Sequence, residues 1–244
     1  MAERLHVALA RAGVASRRQA EKLIAEGRVT VNGKVVLKPG TQVVWEQDAI
    51  RVNNHLIHRL DRQVTIVLNK PKQVLTTARD PRGRPTTAEL VKKIKVRLFP
   101  VGRLDYHTEG LLVLTTDGDL AHRLQHPRYC IPKTYRTKVK GLPEAQALKR
   151  LRSGVMLDGR RTAPAQVRQI STTGTNTWLE ITIKEGRNRQ IRRMCTAVGH
   201  PVMKLKRVGY GPIRLGALKP GAYRALTRSE AEKLRRHVTE DPQS

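Results

Sequence analysis

The sequence predicts an α+β protein in two parts, a small helix-then-sheet unit followed by a larger mixed unit. Three observations predict it. Helical spacing with capping residues opens the chain, and an Asn32-Gly33 hairpin signal with further turn pairs follows within about the first 55 residues. From residue 65 onward, strand patterns alternate with helical ones.

In order, Leu5, Ala8, Leu9 and Ala12 fall at helical spacing, and Gly13 ends that helix. Ser16 caps a second helix, with Gln19 three residues on as a capping box; Ala20, Leu23 and Ile24 form its inner stripe and Gly27 stops it. Short β pieces follow at Arg28 to Val31, Lys34 to Leu37, Val43 to Trp45 and Ile50 to Val52. Residues 53–63 are polar and irregular and read as a linker. His55 and His58 lie there, and two histidines without further ligands make no metal site.

The second part opens with a strand at Thr65 to Asn69, stopped by Lys70-Pro71. Thr76 to Thr87 is a basic loop and Ala88 to Val96 a short helix. Gly102-Arg103-Leu104-Asp105-Tyr106-His107-Thr108-Glu109-Gly110 is a polar loop that feeds the apolar run Leu111 to Leu114, closed by Asp117-Gly118. A helix at Asp119 to Gln125 and a strand at Thr134 to Lys140 come next, then a helix at Pro143 to Arg152 with proline in its first turn. Val155 to Ile170 supplies turns and one or two strands, and Trp178 to Lys184 alternates as a strand. Ile191, Met194, Cys195 and Val198 form the buried stripe of a helix that runs from Arg189 to Val198, with Gly199 as its C-cap. On that wheel Arg189 and Arg193 lie opposite the stripe, and Arg192 lies at its border, about 100° from Ile191. Pro201 to Val208 is a strand, and Thr227 with Glu230 caps a last helix ending near His237.

Composition bounds the function. Net charge is +28, from 48 Lys+Arg against 20 Asp+Glu, which implies a polyanionic partner, nucleic acid first. A membrane surface would need an amphipathic helix with bulky apolar anchors, and none stands out. No run approaches the roughly 18 apolar residues of a membrane span. Cys130 and Cys195 are too few for a disulfide scaffold or a zinc site, and read as reduced thiols. With no apolar signal core at the N-terminus, the chain is expected in the cytoplasm, as a monomer.

Residues 1–60 resemble the S4 RNA-binding domain, through Arg4-Leu5, Ala15-Ser16-Arg17-Arg18-Gln19-Ala20, Ile24-Ala25-Glu26-Gly27-Arg28-Val29 and Val31-Asn32-Gly33. In that family the basic helix lies against RNA backbone, so Arg17, Arg18, Lys22 and Arg28 are expected to neutralise phosphates.

Residues 61–238 resemble the bacterial RsuA/RluB-type rRNA pseudouridine synthases, with 239–244 expected as a disordered tail. Four blocks carry the resemblance: Leu68-Asn69-Lys70-Pro71, Gly102-Arg103-Leu104-Asp105 through Asp117-Gly118, Lys133-Thr134-Tyr135, and Glu185-Gly186-Arg187-Asn188-Arg189-Gln190-Ile191-Arg192-Arg193-Met194. It implies a mixed α/β catalytic domain on a long, mostly antiparallel sheet, RNA held in a cleft across it, and isomerisation of uridine to pseudouridine without a cofactor or metal. By the same resemblance Asp105 is the nucleophile, attacking a carbon of sugar or base, and Arg192 is the guanidinium that favours its charged form. Arg103 is expected to fill the gap left by the flipped base, Tyr135 to stack on that base and, as in the family, to assist proton handling, and Ile191 to pack against it. Lys70, Arg187, Arg189 and Arg193 are expected to touch RNA. His107 is not expected to act as a base, because its segment is loop. The family usually has glycine soon after Lys70-Pro71, where this chain has Lys72-Gln73, so Gln73 must adopt a different turn or bear strain.

Within the family, Asp105 to Glu109 and Lys204-Leu205-Lys206-Arg207 resemble the large-subunit (23S rRNA) members. The competing readings are a 16S rRNA member and a non-catalytic rRNA-binding or assembly factor. An S4-bearing methyltransferase would need a glycine-rich cofactor loop, and none is found.

Overall fold

A computed structural model describes residues 2–60 and 63–239. Contacts divide the described residues into two compact units. The first takes in those up to Val64 together with Ile94–Phe99 and Thr115–Gly118, and the second takes in the rest. Among the described residues no helix is long and apolar enough to cross a membrane.

In the first unit, β1 (Glu3–Arg4) leads into α1 (Leu5–Arg11) and α2 (Arg17–Ala25). The Ser16 hydroxyl accepts from the Gln19 N–H at 3.1 Å, as the capping signal requires. The strands are β2 (Val29–Val31), β3 (Lys34–Val35), β4 (Gln42–Val43), β5 (Ile50–Val52) and β6 (His55–Leu56). β1 pairs with β4, and the other four form a sheet in the order β3-β2-β5-β6. Asn32 and Gly33 both have positive φ, the turn that matches strand twist in a two-residue hairpin. Leu5, Leu9, Leu23, Ile24, Val29 and Ile50 close the core.

The structure moves the start of the expected linker. Asn53 and Asn54, at φ 49° and 65°, form a second tight turn, and His55–Leu56 pairs back onto β5. These residues therefore belong to the small sheet. Polarity misled here, because an exposed edge hairpin is as hydrophilic as a linker.

The second unit is built on a nine-stranded sheet. Its elements in order are β7 (Thr65–Lys70), α3 (Thr87–Leu90), β8 (Phe99–Pro100), β9 (Glu109–Thr115), α4 (Gly118–Gln125), β10 (Lys133–Lys140) and α5 (Ala145–Ser153). The small hairpin β11 (Met156–Leu157) and β12 (Arg160–Arg161) stands apart. Then come β13 (Gln166–Thr173), β14 (Asn176–Ile183), α6 (Gln190–Ala197), β15 (Val202–Tyr210), β16 (Ile213–Arg214), β17 (Tyr223–Ala225) and α7 (Arg228–Thr239). The main order is β13-β14-β10-β15-β9-β7-β17, with β16 beside β15 and β8 beside β9.

Pairings β13–β14, β14–β10, β10–β15 and β7–β17 are antiparallel. β15 and β9 run parallel over two residue pairs only, Lys206 with Glu109 and Arg207 with Gly110. This seam needs Gly110, whose φ is 111° and whose missing Cβ would stand 2.2 Å from the Arg207 carbonyl oxygen. One core packs α4 and α7 on β9 through Leu111, Val113, Leu120, Leu124, Leu234 and Val238.

Two expected helices differ. The one expected over Ala88 to Val96 is a single turn, Thr87–Leu90, because the stretch beyond mixes like-charged Lys92, Lys93 and Lys95 with β-branched residues. Pro143 is buried just ahead of the N-cap Glu144 and so lies outside α5. The Thr227–Glu230 box is reciprocal, Glu230 N–H to the Thr227 hydroxyl at 3.1 Å and Thr227 N–H to the Glu230 carboxylate at 3.0 Å. The tail beyond Thr239 lies outside the described residues.

Candidate active site

A cleft of about 630 Å³ opens in the second unit over the face of β10, β14 and β15 that carries Tyr135, Ile183, Leu205 and Arg207. Strand alternation decides this membership. Tyr135, Thr137 and Val139 point to one side of β10, and Leu179, Ile181 and Ile183 do the same on β14. Ile191 reaches the cleft from the first turn of α6, and Arg103 and Asp105 reach it from the loop before β9.

That loop is held from behind. The Thr108 N–H donates to the Asp105 carbonyl at 3.0 Å, closing a turn around the carboxylate-bearing residue. The Gln73 N–H donates to the Tyr106 carbonyl at 2.8 Å. Thr76 Oγ1 donates to the Leu104 carbonyl at 2.9 Å and accepts from the Leu104 N–H at 3.2 Å. Gln73 does this at φ 60°, so the residue standing where glycine was expected carries the left-handed backbone itself.

Among the described residues the Asp105 carboxylate has no hydrogen bond, and no cation lies within 4.0 Å of it. It sits half-buried in the field of two cations. Lys70 is fully buried, its Nζ donating to the carbonyls of Pro71 at 2.8 Å and Val74 at 2.7 Å. Burial pulls the Lys70 ammonium down to about 8, against the opposing pull of Asp105 and Glu109. Arg192 is half-buried; burial lowers its guanidinium, Arg189 adds to that by repulsion, and Asp105 opposes it. Its Nη2 donates to the His107 carbonyl at 3.2 Å, so the guanidinium grips the loop that carries Asp105. His107 itself is exposed.

One expectation for RNA contact is corrected, and a second residue is bound within the protein. Lys70 is sealed at 0% exposure and reaches no phosphate; a lysine at a strand end reads as exposed only until the opposing loop is known. Arg187 lines the cleft, but every nitrogen of its guanidinium is engaged within the protein. Nε donates to Glu185 at 3.2 Å, Nη1 to the Arg160 carbonyl at 3.1 Å and Nη2 to the Arg161 carbonyl at 2.6 Å. With Gln190, whose amide donates to Glu185 and whose oxygen accepts from the Arg187 N–H at 2.9 Å, it braces the turn into α6. Arg189 stands in that turn at φ 48°, exposed on the cleft rim. Arg193 is turned to Asp158, at 2.5 Å. In the first unit Arg17 and Arg18 are exposed, Lys22 pairs with Glu26 at 3.7 Å, and Arg28 donates to Asn53 at 2.8 Å.

The sequence reading missed Arg207 and Lys133. Arg207 is 2% exposed, donates from Nε to the Leu111 carbonyl at 2.7 Å and lies over the Tyr210 ring at 5.1 Å. Its Nη2 is buried without a partner among the described residues. Alternation along Lys204-Leu205-Lys206-Arg207 carried the signal, since Arg207 shares a face with the buried Leu205. Lys133 donates to the Ile131 carbonyl at 3.1 Å; burial first and Arg207 second push its ammonium down to about 8.

The arrangement is a cleft lined by Arg103, Asp105, Tyr135, Ile183, Ile191 and Leu205, in which neither the Asp105 carboxylate nor the Arg103 guanidinium has a partner among the described residues. The chain is similar to known proteins. The family described as RNA pseudouridylate synthase matches residues 64–197, and the S4 domain matches residues 3–50. An "Uncharacterized RNA pseudouridine synthase" of Aquifex aeolicus is 48% identical, over 96% of this chain and 94% of its own. "Ribosomal large subunit pseudouridine synthase B" of Bacillus subtilis is 46% identical, over 96% of both chains. A solved pseudouridylate synthase superposes with a TM-score of 0.67 at 32% identity, covering 95% of this chain and 99% of the other. With one family spanning more than half its length, and curated relatives alike from end to end, this chain belongs to the RNA pseudouridylate synthase family.

Proposed function

We propose that this pseudouridine synthase modifies ribosomal RNA, and within it a uridine of the large-subunit (23S) rRNA, with Asp105 as nucleophile. The carrying observation is the Asp105 carboxylate, without a partner among the described residues, in a cleft lined also by Tyr135 and Ile191 and in the field of Lys70 and Arg192. Both cations place positive charge near the carboxylate that covalent catalysis uses. The large-subunit choice is supported by the printed name of the Bacillus subtilis relative.

A uridine inside folded RNA must leave the stack to reach Asp105. Arg103, exposed and uncommitted, is the side chain that enters the vacated space, where its planar cation stacks and hydrogen-bonds at once. The extruded uracil lies on Tyr135 and Ile191. Asp105 attacks a carbon of the nucleoside and the bond from sugar to ring nitrogen breaks; the uracil rotates on that floor, its C5 bonds to the sugar carbon, the bond to Asp105 is released, and a proton leaves C5 while the freed ring nitrogen gains one. The Tyr135 hydroxyl serves the accompanying proton transfer. Product and substrate have the same composition and oxidation level, so the chemistry calls for no redox partner. Arg192 acts on Asp105 by charge and by holding its loop through His107.

Residues 1–60, as an S4-like domain, add backbone affinity through Arg17, Arg18, Lys22 and Arg28; residues 61–238 form the catalytic domain, and Arg189 extends the RNA contact along the cleft rim. The chain works as a monomer in the cytoplasm.

The test is to incubate the protein with unmodified large- and small-subunit rRNA, map pseudouridine chemically, and repeat with Asp105→Ala. Pseudouridine at one large-subunit position, lost in Asp105→Ala with RNA binding retained, is the expected result. Modification confined to the small-subunit transcript would overturn the 23S assignment. A fully active Asp105→Ala would overturn the nucleophile.

A further inference from the structure

The sheet has another face. Along β10, β14 and β15 the residues between the cleft-facing ones point the opposite way: Thr134, Arg136 and Lys138; Trp178, Glu180 and Thr182; Lys204, Lys206 and Val208. The contrast in burial is sharp. Cleft-side Tyr135, Thr137, Leu179, Ile181, Leu205 and Arg207 are all buried, whereas every one of these alternates is half-buried or exposed. α5 packs on β13 and α6 on β15, and the alternates are half-buried or exposed.

The open face is basic in a way that costs the fold something. By register Arg136 stands directly opposite Lys206, and Lys138 directly opposite Lys204. Like charges set opposite each other across a strand pair are destabilising. The acid within this array is Glu180, already shared between Arg136 at 3.6 Å and Arg168 at 3.0 Å. Beside it an open concavity of about 1100 Å³ is lined by Thr134, Arg136, Thr182, Lys184, Lys206 and Arg214. Trp178 lies on the same face, opposite Lys138 by register.

We propose that this face is a second RNA-binding surface, which grips the phosphate backbone of another segment of the same folded RNA while the cleft holds the uridine. This rests on the reading that the substrate is a large folded rRNA. Two stacked pairs of cations that share one acid, Glu180 beside Arg136, carry a net positive charge that a polyanion relieves, and neutralising it releases condensed counterions. Rows two residues apart on a strand are about 7 Å apart, a ladder suited to a continuous backbone. Trp178 adds a ring on which an unpaired base can stack. The surface reads charge and shape without sequence.

The test uses the full chain with Lys138, Lys204 and Lys206 changed together to Gln, all outside the catalytic cleft. A control carries Lys149→Gln, Lys219→Gln and Lys233→Gln, exposed lysines of equal total charge elsewhere. Binding to an unmodified large-subunit rRNA transcript is measured from 0.05 to 0.3 M salt. In the first variant the slope of log K against log salt should fall by about 2 to 3, and affinity near 0.1 M by tenfold or more, at about 0.9 per lost phosphate contact. The control should keep its slope. The rate of pseudouridine formation at saturating RNA should be unchanged in both. Equal losses in variant and control would reduce the effect to net charge and overturn the surface. An unchanged RNA slope together with lost retention on poly-glutamate would assign the face to an acidic polypeptide and overturn it too. A slope change on RNA in which the unaltered protein forms no pseudouridine would uphold the surface and sink the catalytic reading separately.

Discussion

Substituting Gly110 by Ala tests how the cleft is closed. Gly110 lies where β9 meets β15, at φ 111°, outside the backbone region open to residues with a side chain. That conformation alone costs a substituted residue about 1–3 kcal/mol. The new methyl would also stand 2.2 Å from the Arg207 carbonyl oxygen and 2.7 Å from its nitrogen. Both are backbone atoms of the paired strand, so no rotamer change relieves the overlap. The strands must part, adding about 1–3 kcal/mol of overpacking and about 1 kcal/mol per ladder hydrogen bond lost. The total is about 4 kcal/mol or more, against about 5–15 kcal/mol for a whole protein. A chain of this size should then melt roughly 10 °C lower. Gly174→Ala is the control: it also has positive φ, 56°, but nothing within 4 Å of the added carbon, so it carries only the backbone cost. Urea midpoints and melting temperatures of the two variants give the comparison. If Gly110→Ala unfolds within about 1 kcal/mol of Gly174→Ala, the overlap argument is wrong. Synthase activity should fall with Gly110→Ala even below its melting point, because the seam positions the Asp105 loop over Arg207.

Other expectations follow from the same geometry. Lys70 titrates near 8 when folded and near 10.5 when unfolded, so between those values the unfolded chain binds more protons and stability rises with pH. The penalty for its buried charge, about 3 kcal/mol, is present below pH 8 and lifted by pH 10.5; subtracting the pH profile of Lys70→Met isolates it, and a flat difference would refute the burial. Gln73→Gly should raise stability by up to about 1 kcal/mol in denaturant titrations, since glycine takes φ 60° without strain; a clear destabilisation would show that the Gln73 side chain contributes. Arg187→Ala should lower stability by about 1–3 kcal/mol and leave the salt slope of RNA binding intact, whereas Arg189→Ala should lower that slope by about 1 with little effect on melting.

Where local pattern and final environment coincide, the sequence was readable. The alternation expected from Trp178 is reproduced residue by residue in burial as far as Ile183, and the Ile191, Met194, Cys195 stripe is buried as its spacing requires. Caps at Ser16 and Thr227 were legible because a cap is a local bond. Elements whose existence depends on a distant partner were not. β1 and β6 are two residues each and are strands only because β4 and β5 lie beside them. Lys70 and Arg207 looked like surface cations in a strongly basic chain, and only the packing of remote segments buries them. The Arg187 block announced positive charge for RNA; the structure spends that guanidinium on two carbonyls and a carboxylate. Charge is visible in a sequence, but its destination is a tertiary fact.

The two-residue parallel seam also sets an order in time. Asp105 leaves the ribosome about a hundred residues before Arg207, the residue that closes the cleft behind it. At about 5–20 residues per second that is several seconds or more of synthesis. Joining residues so far apart costs about 4 kcal/mol of chain entropy, which two residue pairs alone do not repay. The seam therefore closes only once β15 is anchored along β10 by its longer antiparallel register. A nascent or truncated chain carries the proposed nucleophile and the basic helix α2, but no cleft. Catalytic competence thus arrives with the last third of the polypeptide, and a chain still in synthesis is disarmed.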